Sequence, residues 1–162
     1  MNRKLRISVI GPSQAARETL EAAEQVGAEI AARGAVLLCG GLGGVMEAAA
    51  RGAQRAGGLT VGILPGTDCA EANPCIDLPL ATGLGEARNL VIAHSAQAVI
   101  AVGGAYGTLS EIAFALRNRV PVIGLGTWQL RAPDGTQAPV LAAATPAEAV
   151  QKAFQAAEGN AA

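Results

Sequence analysis

Rings are scarce in this chain: its 162 residues include one Trp, one Tyr and two Phe. A core must then be packed from Ala, Val, Leu and Ile, and Tyr106 and Trp128 are the obvious rings left to stack on a ligand. The one histidine, His94, excludes a histidine-rich metal site within a single chain, and no metal is expected. Cys39, Cys69 and Cys75 are odd in number and lack CxxC spacing. A disulfide framework is therefore not expected, and a cytoplasmic location fits. Charge is sparse at 15%, the net charge is −1, and the twelve Lys and Arg form no run or stripe. That pattern argues against a nucleic-acid partner. No apolar stretch approaches the roughly 18 residues of a membrane span. A strand pattern starts within a few residues of Met1, which leaves no room for a signal peptide.

Against these shortages stand two glycine-rich turns. Ala98-Val99-Ile100-Ala101-Val102 runs into Gly103-Gly104-Ala105-Tyr106-Gly107-Thr108, and Leu109, Ile112, Ala113 and Leu116 follow at helical spacing. Upstream, Val36-Leu37-Leu38-Cys39 runs into Gly40-Gly41-Leu42-Gly43-Gly44, and Val45-Met46 opens a helix. Glycine lets backbone approach a ligand, and a helix start offers free N–H groups and a positive dipole to an anion. The expected ligand is a phosphorylated small molecule held by Gly41, Gly43, Gly44, Gly103, Gly104, Gly107 and Thr108. Each turn alone has a plainer explanation as a tight strand-to-helix connection. Two on one edge favour binding.

Other strands are expected at residues 5–10, 59–64 and 120–125, with a short apolar segment at 76–80. Helices are expected at 45–55 and 86–96, and on the stripe Leu20, Ala23, Gly27, Ile30 and Ala31. Residues 126–139 form a polar excursion around Trp128, Thr145-Pro146-Ala147-Glu148 caps a last helix to about 157, and 159–162 read as a tail. Strands alternating with helices give an α/β fold. It is a single Rossmann-like domain over residues 1–162, with a mostly parallel sheet and helices on both faces. In such sheets ligands lie beyond the carboxyl ends of the strands, where both glycine turns fall.

Familiar cofactors fit poorly. A dinucleotide fingerprint from Gly41 would place Met46 at its third small position, and the following strand ends Ile63-Leu64-Pro65 with no acid for a ribose, so NAD is not expected. Neither turn is followed by Lys-Ser or Lys-Thr, so there is no Walker loop. Lys4 and Lys152, the only lysines, lie away from the glycine edge, which leaves no Schiff-base residue for pyridoxal phosphate. Arg88, in Gly85-Glu86-Ala87-Arg88-Asn89, stands near a helix start, against the dipole, where a bound anion would offset the penalty. Glu111 closes a Thr108-Leu109-Ser110-Glu111 capping box in which it would reach back to the Thr108 N–H. The same position sets a carboxylate at the rim of a phosphate site, near ribose hydroxyls or a developing sugar cation. Glu47 and His94 are weaker candidates, read as a solvated helix residue and as structure.

These segments together resemble the Rossmann-like superfamily of the Lonely Guy (LOG) phosphoribohydrolases and proteins once labelled possible lysine decarboxylases. Residues 103–111 match the hydrolase signature Pro-Gly-Gly-x-Gly-Thr-x-x-Glu except that Val102 stands for the leading Pro. Arg88 matches the Arg of an upstream Arg-Lys pair, whose Lys is replaced by Asn89. The similarity runs from about residue 7 to 125. The length, Ala87-Arg88-Asn89 and residues 57–65 are closer to the short branch containing molybdenum-cofactor carrier proteins. The resemblance implies a homo-oligomer and a carrier that shelters a pterin phosphate, possessing no required cofactor of its own. It also implies an alternative, hydrolysis of nucleoside 5′-monophosphates to base and ribose 5-phosphate, with Arg88 and Glu111 as catalytic residues.

Overall fold

The structure, a computed structural model, describes residues 4–159. Seven strands form one sheet in the order β4-β3-β2-β1-β5-β6-β7, and every neighbouring pair is parallel. The strands are β1 (Arg6–Ile10), β2 (Val36–Cys39), β3 (Thr60–Leu64), β4 (Leu78–Ala81), β5 (Ala98–Val102), β6 (Val122–Leu125) and β7 (Val140–Ala143). Between them run α1 (Arg17–Ala32), α2 (Val45–Arg55), α3 (Arg88–His94), α4 (Tyr106–Arg117) and, after β7, α5 (Pro146–Gly159). The α/β Rossmann-like architecture expected from the alternation of strands and helices is what the chain adopts.

Central strands are buried on both faces, so they read as unbroken apolar runs whose alternation shows only in the packing. Ile7, Val9, Leu37, Ile100 and Val102 point to the layer made by α1, α2 and α5. Ile10, Val99 and Ala101 point to the opposite layer, under α3 and α4. Ser8, fully buried in β1, donates its hydroxyl hydrogen bond to the Ile92 carbonyl (2.9 Å), which fixes α3 to the middle of the sheet.

Several boundaries differ from the sequence reading. The sheet does not end at β6, because residues 140–143 form β7 and pair with Val122–Leu125. Pro121 lies just before β6, and its carbonyl accepts from the Val99 N–H (2.9 Å), so no ladder donor is needed from it. Helix α3 is shorter than expected, opening at Arg88 after a 3-10 turn, Gly85–Ala87. Gly159, read as tail, is the last residue of α5; residues 160–162 lie outside the described residues. Among the described residues no helix is long and apolar enough to cross a membrane.

Helices α1 and α2 touch backbone to backbone. A Cβ on Gly27 would sit 1.9 Å from the Ala49 carbonyl oxygen, and one on Gly52 the same distance from that of Glu24. The crossing is latched by the Glu24 carboxylate, which accepts from Arg51 (3.1 Å) and from Arg55. Gly27→Ala should therefore lower the unfolding free energy by about 1–3 kcal/mol, since neither backbone can yield without parting the helices. Helix propensity alone gives the opposite sign, a gain of about 1 kcal/mol, so urea unfolding of this variant separates the two effects.

Candidate functional site

Chain direction reverses across the sheet at β1: the path runs one way through β2, β3 and β4, then returns to β5 on the other side. The loops after β1 and β5 part at this switch point and leave a crevice beyond the carboxyl ends of the strands. A cleft of about 320 Å³ occupies it. One wall is Gly11, Pro12 and Ser13, after β1; Leu42 and Met46 close a second side, and Ala105, Gly107 and Thr108 the third. Arg88, Glu111 and the exposed Glu86 form the charged part of the lining.

Arg88 is the first residue of α3 and is 7% exposed. Its side chain reaches the end of β2, where Gly40 leaves room: a Cβ there would stand 2.0 Å from Arg88 Nη1. Arg88 Nε and Nη1 are buried without a hydrogen-bond partner. Burial lowers the guanidinium pKa, opposed by the negative charge of Glu111 and, behind that, of Cys39. The Cys39 thiol does not ionise to help, because burial pushes it up to about 12.

Glu111 is also 7% exposed, and no described residue donates a hydrogen bond to its carboxyl group. Burial raises its pKa to about 7, with the Arg88 charge pulling the other way. The expected capping box does not form. Helix α4 begins three residues earlier, with Ala105 at the N-cap, and it is Thr108 that reaches back, accepting from the Ala105 N–H (3.3 Å). Glu111 thus sits in the second turn of α4 and is released from any capping role.

The two helix starts differ. At α2 the first N–H, that of Val45, is taken by the Pro12 carbonyl (3.0 Å). Gly44 is pinned at φ 66° against Pro12 and Ser13. Gly41, at φ 74°, packs on Leu64 and Gly62, and Gly43 has only Ser13 near it. None of these three glycines lines the cleft; Leu42 and Met46 represent that loop instead. At α4 no side chain caps the helix from outside, and Gly107 and Thr108 border the cleft. Gly103 packs on Thr19 and Pro12, and Gly104 lies under Trp128.

Of the expected residues the structure therefore brings Arg88, Gly107, Thr108 and Glu111 together. The sequence gives no sign of Gly11, Pro12 and Ser13 as part of a site, since they look only like the turn that ends the strand at 5–10. Gly11 is required because a Cβ would strike the Val102 carbonyl and Val45, each at 2.5 Å. Nor does the sequence show the part played by Asn89, which lines the cleft while donating to Ser110 Oγ (3.0 Å). Ser110 in turn donates to the Gly107 carbonyl (2.7 Å), so α3 is tied to the first turn of α4. Glu47 ion-pairs with Arg51 at 4.0 Å and His94 is exposed at the far end of α3, both away from the cleft.

The model of the SLOG cluster4 family matches residues 4–155. The molybdenum cofactor binding protein of the phototrophic bacterium Rippkaea orientalis is 41% identical, with a TM-score of 0.88 over 94% of this chain and 97% of that one. The molybdenum cofactor carrier protein of Chlamydomonas reinhardtii is 38% identical, with a TM-score of 0.81 over 94% and 98%. An uncharacterised protein of Archaeoglobus fulgidus is 50% identical over 121 residues, 75% of this chain and 80% of that protein.

The buried Glu111 has a consequence for stability. Its folded pKa, about 7, lies above that of an unfolded glutamate. The folded state thus holds a proton that the unfolded state gives up, and this contribution fades as pH rises from near 4.5 to 7. Glu111→Gln has no such group to ionise. The excess unfolding free energy of the variant over wild type should grow by about 2–3 kcal/mol between pH 5 and pH 8, measured by denaturant titration at both.

Proposed function

The chain belongs to the SLOG cluster4 family, and within it we propose a carrier that holds a phosphorylated, pterin-type molecule such as the molybdenum cofactor in the cleft between β1 and β5. The observation that carries this reading is Arg88: a buried guanidinium with Nε and Nη1 unpartnered, lining the same cleft as the uncapped start of α4. A buried cation and a row of free N–H groups together favour a phosphate. Ile10, Leu42 and Met46 add an apolar wall suited to a flat ring. Gly41, Gly43, Gly44, Gly103 and Gly104 then act by shaping the loops, with Gly107 and Thr108 nearer the anion.

Glu111 favours a second reading. A carboxyl with a pKa of about 7, beside a phosphate-binding arginine, could stabilise positive charge on a ribose while the N-glycosidic bond breaks, as in a phosphoribohydrolase. The reading as carrier is preferred because no hydrogen bond orients that carboxyl and because Asn89 is engaged with Ser110. Assembly is part of the proposal. Val61, Leu78 and Leu80 line an apolar face of the sheet, with both leucines about half exposed, and a second copy covering it would give a homo-oligomer.

Calorimetry with AMP as the phosphate probe should give binding in wild type and a loss of about tenfold or more in Arg88→Ala. Under the carrier reading AMP is not split, and mass spectrometry finds a pterin co-purifying with the protein. Steady release of adenine, abolished in Glu111→Gln while AMP still binds, would make the hydrolase the correct reading. For assembly, light scattering should show a dimer or larger species at high micromolar concentration, shifted toward monomer by Leu80→Lys.

A further inference from the structure

Trp128 and Tyr106, the only Trp and the only Tyr, lie side by side, the indole half-buried at the edge of the core and the phenol ring in solvent. Tyr106 is 83% exposed at the first position of α4. The Trp128 ring lies 6.0 Å from it between centroids, tilted by 33°. Trp128 is held in place twice over. Its Nε1–H donates to the Ala105 carbonyl (3.2 Å), and its ring covers Gly104, where a Cβ would come within 2.8 Å of it. The missing side chain at Gly104 is what seats the indole.

Behind Trp128 a second cavity, of about 390 Å³, opens between the 126–139 strap and the ends of β6 and β7. Its lining includes Thr127, whose hydroxyl is buried without a partner, and the amides of Gln129 and Gln137. Ala105 is the shared wall: it lines the first cleft, and its carbonyl anchors the indole that borders the second. A phosphate at the start of α4 would therefore have the Arg88 cleft on one side and the ring pair on the other.

The geometry points to a second ring-binding subsite at Tyr106 and Trp128, so that the protein takes a dinucleotide-like ligand: two heterocycles joined through a diphosphate. The inference rests on the proposed phosphate site at α4. One ring occupies the Arg88 cleft, the diphosphate spans the α4 start, and the second ring stacks on Tyr106 and Trp128 with its polar edge toward Thr127 and the two glutamine amides. Stacking of this kind accepts any flat heterocycle, since each has a π face.

Diadenosine diphosphate and ADP-ribose carry the same two phosphates and differ by the second base, so calorimetry on the full chain isolates its contribution. Diadenosine diphosphate should bind about fivefold tighter or better, and should quench the fluorescence of the single tryptophan, which ADP-ribose leaves unchanged. The affinity ratio should fall to about one in Tyr106→Ala, an exposed position that does not threaten folding, and in Trp128→Leu. Equal affinities in wild type, or a ratio that survives Tyr106→Ala, would overturn the subsite while Arg88-dependent AMP binding persists. Absence of AMP binding altogether would overturn the phosphate site and the subsite with it.

Discussion

The guanidinium of Arg88 occupies the space that a side chain at residue 40 would fill, and the cleft depends on that exchange. Gly40 lies just past β2, and Arg88 opens α3 just before β5, so the contact joins the two halves of the sheet across the switch point. A larger residue at 40 would force the guanidinium to shift away from Gly40, and among the described residues that guanidinium and Glu111 are the buried charged groups. The loops around it are then set by small residues: Gly11 lets β1 turn beneath Val102, and Gly44 lets α2 start against Pro12. The crevice is a consequence of parallel topology; its charge is a consequence of one missing side chain.

That charge is held at a cost. A buried ion without hydrogen-bonded partners forfeits several kcal/mol of solvation, and such groups persist where something else uses them. Cys39 cannot compensate, because its thiol stays protonated, and Glu111 near neutral pH is only partly ionised. The charge of the cleft therefore shifts toward positive as pH falls and Glu111 takes up its proton, which leaves Glu86 as the exposed carboxylate of the lining. In the proposed function an incoming anion would supply the missing partner to Arg88 and meet the first N–H groups of α4. The same reasoning separates the two glycine turns, which look alike in sequence. At α2 the protein's own Pro12 carbonyl has taken the place that a ligand oxygen could have had.

Much of the fold was legible because β1, β2, β3 and β5 are apolar runs bounded by glycine, and α1 and α2 carry clear stripes. The seventh strand was not, since Val140–Ala143 has too few β-branched residues to stand out after a polar excursion, and only pairing with β6 defines it. The start of α4 was misplaced for a specific reason. Thr108 and Glu111 have capping-box spacing, but the actual N-cap, Ala105, has no capping side chain and so gives no signal. Among the glycines, sequence cannot distinguish one that admits a ligand from one that admits a neighbouring loop. Gly41 and Gly44 need positive φ and lie against protein, and of the glycines in the two glycine-rich turns Gly107 is the one that borders the cleft. Arg88 and Glu111 are legible from their places, an Arg against the dipole at a helix start and an acid closing a capping-box pattern after a glycine turn, whereas their burial appears only in the fold.

The arrangement around Glu111 bears on carriage against catalysis. Catalytic carboxylates are held in register by neighbouring donors, since a misplacement of about 1 Å can cost a hundredfold in rate. Glu111 has no such donor. The hydrogen bonds here go instead from Asn89 to Ser110 and from Ser110 to the Gly107 carbonyl, fixing α3 against the first turn of α4. They set the width of the cleft and not the aim of a reacting group. Under the proposed carrier reading such a site needs only to hold its ligand, and uniform binding raises affinity without lowering a barrier. Uniform binding suffices for a carrier and not for an enzyme, so the tie between α3 and α4 supports the proposed carrier over the hydrolase.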